Sequence, residues 1–313
     1  MKQIGKRLKS FLRWAVLGAT LFFLATTFKD RWQEVAAVRV SSQGGMLLAA
    51  AFAITLVAHV WSALVWGWIL REFQQVVPLG WAVRVFLQTN IAKYLPGNVW
   101  HFYGRVVASQ SKGLSVGAAA LSVVVEPLLM AAAALAIAVT STQVQGRLGI
   151  QIPILLAILM GVHPRILNPI VHWLGKAKTK IRNQTDAPAT TFRLQRYPLL
   201  PLLGELIFVG LRGTGFLVAF WAFQSVPAAQ FSLVISAFSF AWLLGLVIPG
   251  APGGMGVFEA TSLALLDGSF SPALVLVCVA FYRVISILAE AAGAGMGWLF
   301  SNSRSQVGKD VEN

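Results

Sequence analysis

The chain is 313 residues long, 57% hydrophobic and only 12% charged, with a formal net charge of +14 and a mean hydropathy of +0.72. A soluble domain carries roughly 25% charge, so these side chains are too few to coat a globule. The apolar residues instead gather in long runs that mark membrane-spanning helices. The positive balance does not point to nucleic acid. The basic residues sit between apolar runs, where a cytoplasmic bias and attraction to anionic headgroups explain them, and no nucleic-acid-binding pattern accompanies them.

In chain order, Lys2, Lys6, Arg7, Lys9 and Arg13 precede the apolar stretch Trp14–Phe28. No small-x-small cleavage site follows, so a retained first helix with a cytoplasmic N-terminus is expected rather than a signal peptide. A second span is expected at Gly44–Leu70, with Trp61, Trp66 and Trp68 as interfacial anchors. A less apolar region, Pro78–Lys112, leads to a span at Leu114–Thr140 and a shorter one at Leu148–Val162. The segment 163–197 holds Arg165, Lys176, Lys178, Lys180, Arg182, Arg193 and Arg196 against one acid, Asp186, and is placed in the cytoplasm. Its first part has the pattern of an amphipathic surface helix.

Further spans are expected at Leu199–Phe223, Phe231–Ile248 and Pro272–Phe300, with a short apolar run ending at Leu266. The expected fold is therefore an all-α polytopic transmembrane bundle of seven or eight spans. It forms one domain over residues 1–300, with repeat-like halves at 1–162 and 198–300 and a disordered tail at 301–313.

Two segments break the pattern, IAKYLPGNVWHFYGR (91–105) and VIPGAPGGMGVFEA (247–260). Both carry an apolar-Pro-Gly triplet, Pro96-Gly97 and Pro249-Gly250, and a charge follows each at similar offset, Arg105 and Glu259. The second adds Gly253, Gly254 and Gly256. Proline removes a backbone donor and glycine removes steric restraint, so neither segment is expected to be a continuous helix. Broken backbone at membrane depth survives only inside protein or beside a wet cavity. Such a pair in corresponding halves points to a transporter's binding site, built from re-entrant hairpins. The flanking charges place the two on opposite sides, as in an inverted repeat, but the expected spans do not supply the odd crossing that inversion needs.

Charges inside spans are functional candidates. They are Glu126, Glu205, Arg212, Arg283 and Glu290, with Glu259 at the glycine-rich segment. Glu205 and Arg212 stand seven residues apart, as do Arg283 and Glu290. Each pair therefore returns to nearly one helix face. Two helices then present one Glu and one Arg each to a shared interior. Arginine is the natural phosphate clamp. Arg283, Arg105 and Arg212 are the expected headgroup contacts, in that order, with Glu126, Glu259, Glu290 and Glu205 as contacts for an amine or a proton. His59 is read as a helix–helix hydrogen bond, and Trp100 and Tyr103 as interfacial belt residues. The lone Cys278 forms no intramolecular disulfide, and no HExxH or cysteine cluster is present, so neither metal nor cofactor is expected.

At the broken segments the sequence resembles the transmembrane flippase domain of lysylphosphatidylglycerol synthase and its stand-alone flippase-like relatives. The residues that carry the resemblance are Lys93-Tyr94-Leu95-Pro96-Gly97 with Arg105, then Pro249, Gly253-Gly254, Gly256 and Glu259, and finally Tyr282-Arg283. Their order and separation match over nearly the whole chain. The resemblance implies a helical domain that moves a phospholipid or a polyprenyl-phosphate-linked lipid between leaflets of the cell membrane. It adds Lys93 and Tyr282 to the expected headgroup set. The synthase continues into a soluble aminoacyltransferase domain that this sequence lacks, so no aminoacylation is expected. Two alternatives stand beside translocation. One is a non-transporting scaffold for a separately encoded lipid-modifying enzyme or glycosyltransferase. The other is an intramembrane enzyme acting on lipid headgroups, for which no nucleophile, base or metal motif is visible.

Overall fold

A computed structural model describes residue 33 and residues 41–95, 99–139, 148–161, 163–166, 168, 169, 194–248 and 254–310. Among these residues the chain is all-helical, with no strand. The helices are α1 (Ser42–Glu72), α2 (Leu79–Asn90), α3 (Trp100–Ser111), α4 (Val116–Ala138), α5 (Leu148–Gly161), α6 (Leu199–Trp221), α7 (Phe231–Val247), α8 (Val257–Leu266) and α9 (Pro272–Asp310). Short 3-10 turns at Ile91–Tyr94 and Ala228–Gln230 join them.

Five stretches are long and apolar enough to cross a membrane: Ser42–Glu72, Val116–Ala138, Leu199–Trp221, Ala228–Val247 and Pro272–Leu299. The expected spans at 44–70, 114–140, 199–223 and 231–248 each match one of them to within a few residues. The expected count of seven or eight is not reached among the described residues. Trp14–Phe28 lies outside them, as does most of 163–197. The helix at Leu148–Gly161 has 14 residues, about 21 Å at 1.5 Å per residue, short of the ~30 Å hydrocarbon core. The last helix runs to Asp310, so the tail expected to be disordered from residue 301 is helical for most of its length.

Small residues set the central contact. Helices α1 and α6 pack so closely that a Cβ on Gly215 would meet Thr55 Oγ1 at 2.9 Å, and one on Gly204 would meet Val65 Cγ2 at 2.6 Å. Helix association in lipid relies on such close approach, because burial from water contributes little there. The order of these contacts also shows that α1 and α6 run in opposite directions. Trp61 Nε1 donates to Gly204 O at 2.9 Å across the same seam. Trp66, expected at the interface, is instead fully buried and donates to Ser122 Oγ at 3.2 Å.

Each broken segment lies between two helices that pack against each other as a hairpin, α2 with α3 and α7 with α8. In the first, α2 and α3 touch where Gly104 faces Thr89, and a Cβ on Gly104 would lie 2.9 Å from Thr89 Cγ2. In the second, α7 and α8 approach backbone to backbone at Gly245 and Gly254, and a Cβ on Gly254 would lie 2.9 Å from Gly245 Cα. Arg196 at the start of α6 pairs with Glu72 at the end of α1, with 3.1 Å bonds. The first hairpin follows the end of α1 and the second follows the far end of α6, so the two hairpins have their bases at opposite ends of the bundle.

Gly254 has φ +70°, a region that costs a β-carbon-bearing residue about 1–3 kcal/mol. Gly254→Val is therefore expected to lower the thermal midpoint of the detergent-solubilised protein by an amount equivalent to at least that energy. Gly210→Ala, whose Cβ would meet nothing within 4 Å, should leave stability within about 1 kcal/mol. Thermal-shift size-exclusion chromatography of both variants checks this.

Candidate functional site

Where the residues flanking the two breaks meet α4, α6 and α9, the bundle forms a cavity of about 510 Å³. Its polar lining is Lys93, Tyr94, His101, Arg212, Tyr282, Arg283, Ser286 and Glu290, and its apolar wall includes Phe102, Leu128, Phe238 and Trp242. Both hairpins contribute, the first through Lys93, Tyr94 and His101 and the second through Gly245, Val247 and Gly254.

The charges inside are compensated unevenly. Lys93 Nζ donates to Glu290 Oε1 at 2.6 Å, joining the turn before the first tip to α9. Arg283 Nε donates to Glu259 Oε1 at 2.6 Å and Nη2 to Gly254 O at 2.9 Å, with the guanidinium 4.9 Å from the centre of the Phe258 ring. The other Glu259 oxygen accepts from Gly256 N at 2.5 Å, at the first turn of α8. A carboxylate is favoured at that position because the first turn of a helix presents unpaired N–H groups. One acid therefore caps α8 and holds Arg283 at once, and it fixes the arginine beside the second tip.

Arg212 differs. No carboxylate among the described residues pairs with it. Its Nη1 lies 3.2 Å from His59 Nε2, its Nε has no partner, and the residue is buried. Its guanidinium lies 5.3 Å from the centre of the Tyr282 ring, and the Tyr282 hydroxyl donates to Arg212 O at 2.8 Å. His59 Nε2 also lies 3.2 Å from Glu290 Oε1. One ring nitrogen cannot donate to Glu290 and accept from Arg212 in the same tautomer. The proton position on His59 therefore decides which neighbour it serves. Glu290 Oε2 is likewise buried without a partner.

A second buried pair lies outside the cavity lining. Arg105 Nη1 donates to Glu126 Oε2, with the guanidinium 3.8 Å from the Phe86 ring centre and 5.7 Å from that of Trp66. Glu205 is fully buried, with neither oxygen bonded among the described residues.

The structure thus gathers Lys93, Arg212, Gly254, Tyr282, Arg283 and Glu290 around one cavity, with Glu259 and Gly256 directly behind Arg283. It does not bring Arg105, Glu126 or Glu205 to that cavity. Pro96, Gly97, Pro249, Gly250 and Gly253 lie outside the described residues. The seven-residue spacing of Arg283 and Glu290 does place both at the cavity, but each pairs with another element rather than joining in a four-charge cluster. Glu205 and Arg212 part company. His59, expected as a helix–helix hydrogen bond, links α1, α6 and α9. His101 and Ser286 are lining residues that sequence reasoning did not single out. A histidine two residues before Tyr103 and a serine in an apolar run carry no signal of their own. Trp100 and Tyr103 are largely exposed. Among the described residues no cluster of His, Cys, Asp or Glu has the makings of a metal site.

Comparison with known proteins gives no match to any family model and none to a curated protein.

Glu205 gives a separate test of which buried acids are structural. A buried carboxyl without donors costs about 1–3 kcal/mol. Glu205→Leu is therefore expected to raise thermal stability by an amount of that order. A fall of the same size, measured by the same melting assay, would show that the carboxyl holds a partner.

Proposed function

We propose that the chain is a lipid translocase of the cell membrane whose substrate is a phospholipid or a polyprenyl-phosphate-linked lipid. One observation carries this. Arg212 is a buried guanidinium at the cavity with no carboxylate partner among the described residues. Lys93 and Arg283, by contrast, are each held by an acid. An arginine in that state favours an anion with two oxygens in one plane, which a phosphate group offers.

Other features support the same reading. Residues flanking both Pro-Gly breaks line the cavity, as the broken helices do in transporters that bind at mid-depth. The walls are mostly apolar, with a few convergent polar groups, which suits a headgroup carrying its first acyl carbons. Of the residues that carry the flippase-like resemblance, Lys93, Tyr94, Gly254, Tyr282 and Arg283 line the cavity and Gly256 and Glu259 lie behind Arg283, whereas Arg105 does not reach it. The cytoplasmic placement of the N-terminus and of residues 163–197 follows from their basic charge. In this account Arg283 and Arg212 hold the phosphate, Tyr282 positions Arg212 through its carbonyl, and Glu290 takes a hydroxyl or amine of the headgroup. Glu259 is a positioning residue for Arg283. Arg105, Glu126 and Glu205 are not headgroup contacts in this state.

The test is a leaflet-accessibility assay in proteoliposomes with fluorescent phospholipids and polyprenyl phosphates and an impermeant quencher. Wild type is expected to expose inner-leaflet lipid. Arg212→Ala and Arg283→Ala should each slow this by about tenfold or more, as expected for losing a charge-assisted bond. No movement of any lipid in the panel by folded wild type would contradict the proposal.

A further inference from the structure

The packing of the helices has a symmetry that neither the cavity nor the lipid reading requires. Leaving aside α5, which packs on α4, the helix pairs in contact are α1 with α6, α1 with α2, α6 with α7, α2 with α3, α7 with α8, α3 with α4, α8 with α9, α2 with α9, α4 with α7, α1 with α9, α4 with α6, α1 with α4 and α6 with α9. Exchanging α1 with α6, α2 with α7, α3 with α8 and α4 with α9 maps this set onto itself. The sequence follows the exchange. One and the same separation divides Pro96 from Pro249, His59 from Arg212, and Ser109 from Ser262. His59 and Arg212 also touch each other, as equivalent positions on a two-fold axis must. Because α1 and α6 are antiparallel, that axis lies across the helices, and the halves are inverted. The chain leaves the α1–α2 end along α4 and is back at that end when α6 begins, where the Tyr197 hydroxyl donates to Leu159 O near the end of α5 at 3.1 Å.

Under the exchange the two ion pairs fall on equivalent helix pairs, though not at equivalent residues, with their charges reversed. Arg105 on α3 pairs with Glu126 on α4, and Glu259 on α8 pairs with Arg283 on α9. Their surroundings differ sharply. The Arg105 and Glu126 side chains are 2% and 3% exposed, whereas those of Arg283 and Glu259 are 22% and 14% exposed. Near the tips the cavity takes equivalent residues from both hairpins, Lys93 and Leu246, Tyr94 and Val247, His101 and Gly254. It reaches only one of the two ion pairs. Related halves in unlike environments are what one state of a two-state element looks like.

We infer that the two hairpins open in alternation, and that the Arg105–Glu126 pair is the closed form of a second, latent cavity at the opposite end of the bundle, equivalent to the one now lined by Arg283. The inference rests on reading the cavity as a transport site. The latent cavity would present Arg105 and Glu126 to the same ligand, so one phosphate-bearing headgroup would meet an arginine from each end. Arg105, which takes no part in the present cavity, thereby acquires a role in the other state.

The experiment reads side-specific thiol accessibility in sealed proteoliposomes, with the single native cysteine removed as Cys278→Ala. Ser109→Cys reports on the latent cavity, because Ser109 is fully buried one turn from Arg105 and its hydroxyl has no partner among the described residues. Leu246→Cys reports on the present cavity. An impermeant maleimide is expected to label Leu246→Cys from one face and to leave Ser109→Cys untouched. Adding Glu126→Gln should raise labelling of Ser109→Cys about tenfold or more, from the other face, while lowering that of Leu246→Cys. The double exchange Arg105→Glu with Glu126→Arg should restore protection, which guards against simple unfolding. Ser109→Cys labelled from the same face as Leu246→Cys, both signals rising together, or no change on Glu126→Gln would overturn the inference. The readout needs no substrate. Alternation without lipid movement would leave this inference standing and sink the translocase proposal, and lipid movement without alternation would do the reverse.

Discussion

A charge surrounded by hydrocarbon is costly unless a neighbouring group compensates it, and three ion pairs meet that requirement in the interior of the bundle. Lys93 reaches Glu290, Arg283 reaches Glu259, and Arg105 reaches Glu126. Each bond ties a hairpin or its approach to a long helix. Broken helices are tolerated at that depth because protein surrounds them, and the ion pairs are what hold them there. Loss of one partner of such a pair leaves the other charge stranded, which costs about 3–5 kcal/mol. Each hairpin thus adds a high-energy ion pair to its apolar packing against the long helices.

Glycine does the complementary work. Gly204 and Gly215 let α6 press against α1, and Gly245 and Gly254 let the arms of the second hairpin meet along their backbones. The positive φ of Gly254 and Gly256 turns the chain from the tip into α8, whose first turn then receives Glu259. Local sequence, cap, ion pair and cavity wall are consecutive steps over a dozen or so residues.

Much of this was legible in the sequence. Apolar runs located the long helices to within a few residues, because hydrocarbon thickness imposes their length. Pro96-Gly97 and Pro249-Gly250 fall between α2 and α3 and between α7 and α8, where the helices break as expected, because neither residue supports an unbroken helix. Pairing among the charges was not legible. Heptad spacing puts Arg283 and Glu290 on one face, yet their partners come from the loop before one tip and the cap behind the other. Those distances depend on how the hairpins dock, and spacing within one helix says nothing of that. For the same reason Arg105 looked like a cavity residue and proved to be sealed against Phe86 and Glu126. Trp66 shows a similar limit. Tryptophan near a span's end fits an interfacial belt, but here the ring packs inside as the platform beside Arg105.

The central claim is that a lipid headgroup enters the cavity between the hairpins. Photocrosslinking tests it most directly. A photoreactive phenylalanine analogue replacing Phe102, on the cavity wall, would be activated in membranes carrying headgroup-labelled phospholipid or polyprenyl phosphate, with the same analogue at the exposed Leu200 as the reference. The account predicts headgroup label at position 102 well above that at position 200, and its loss when Arg212 and Arg283 are both changed to alanine. Equal labelling at the two positions, unaffected by the arginines, would contradict it.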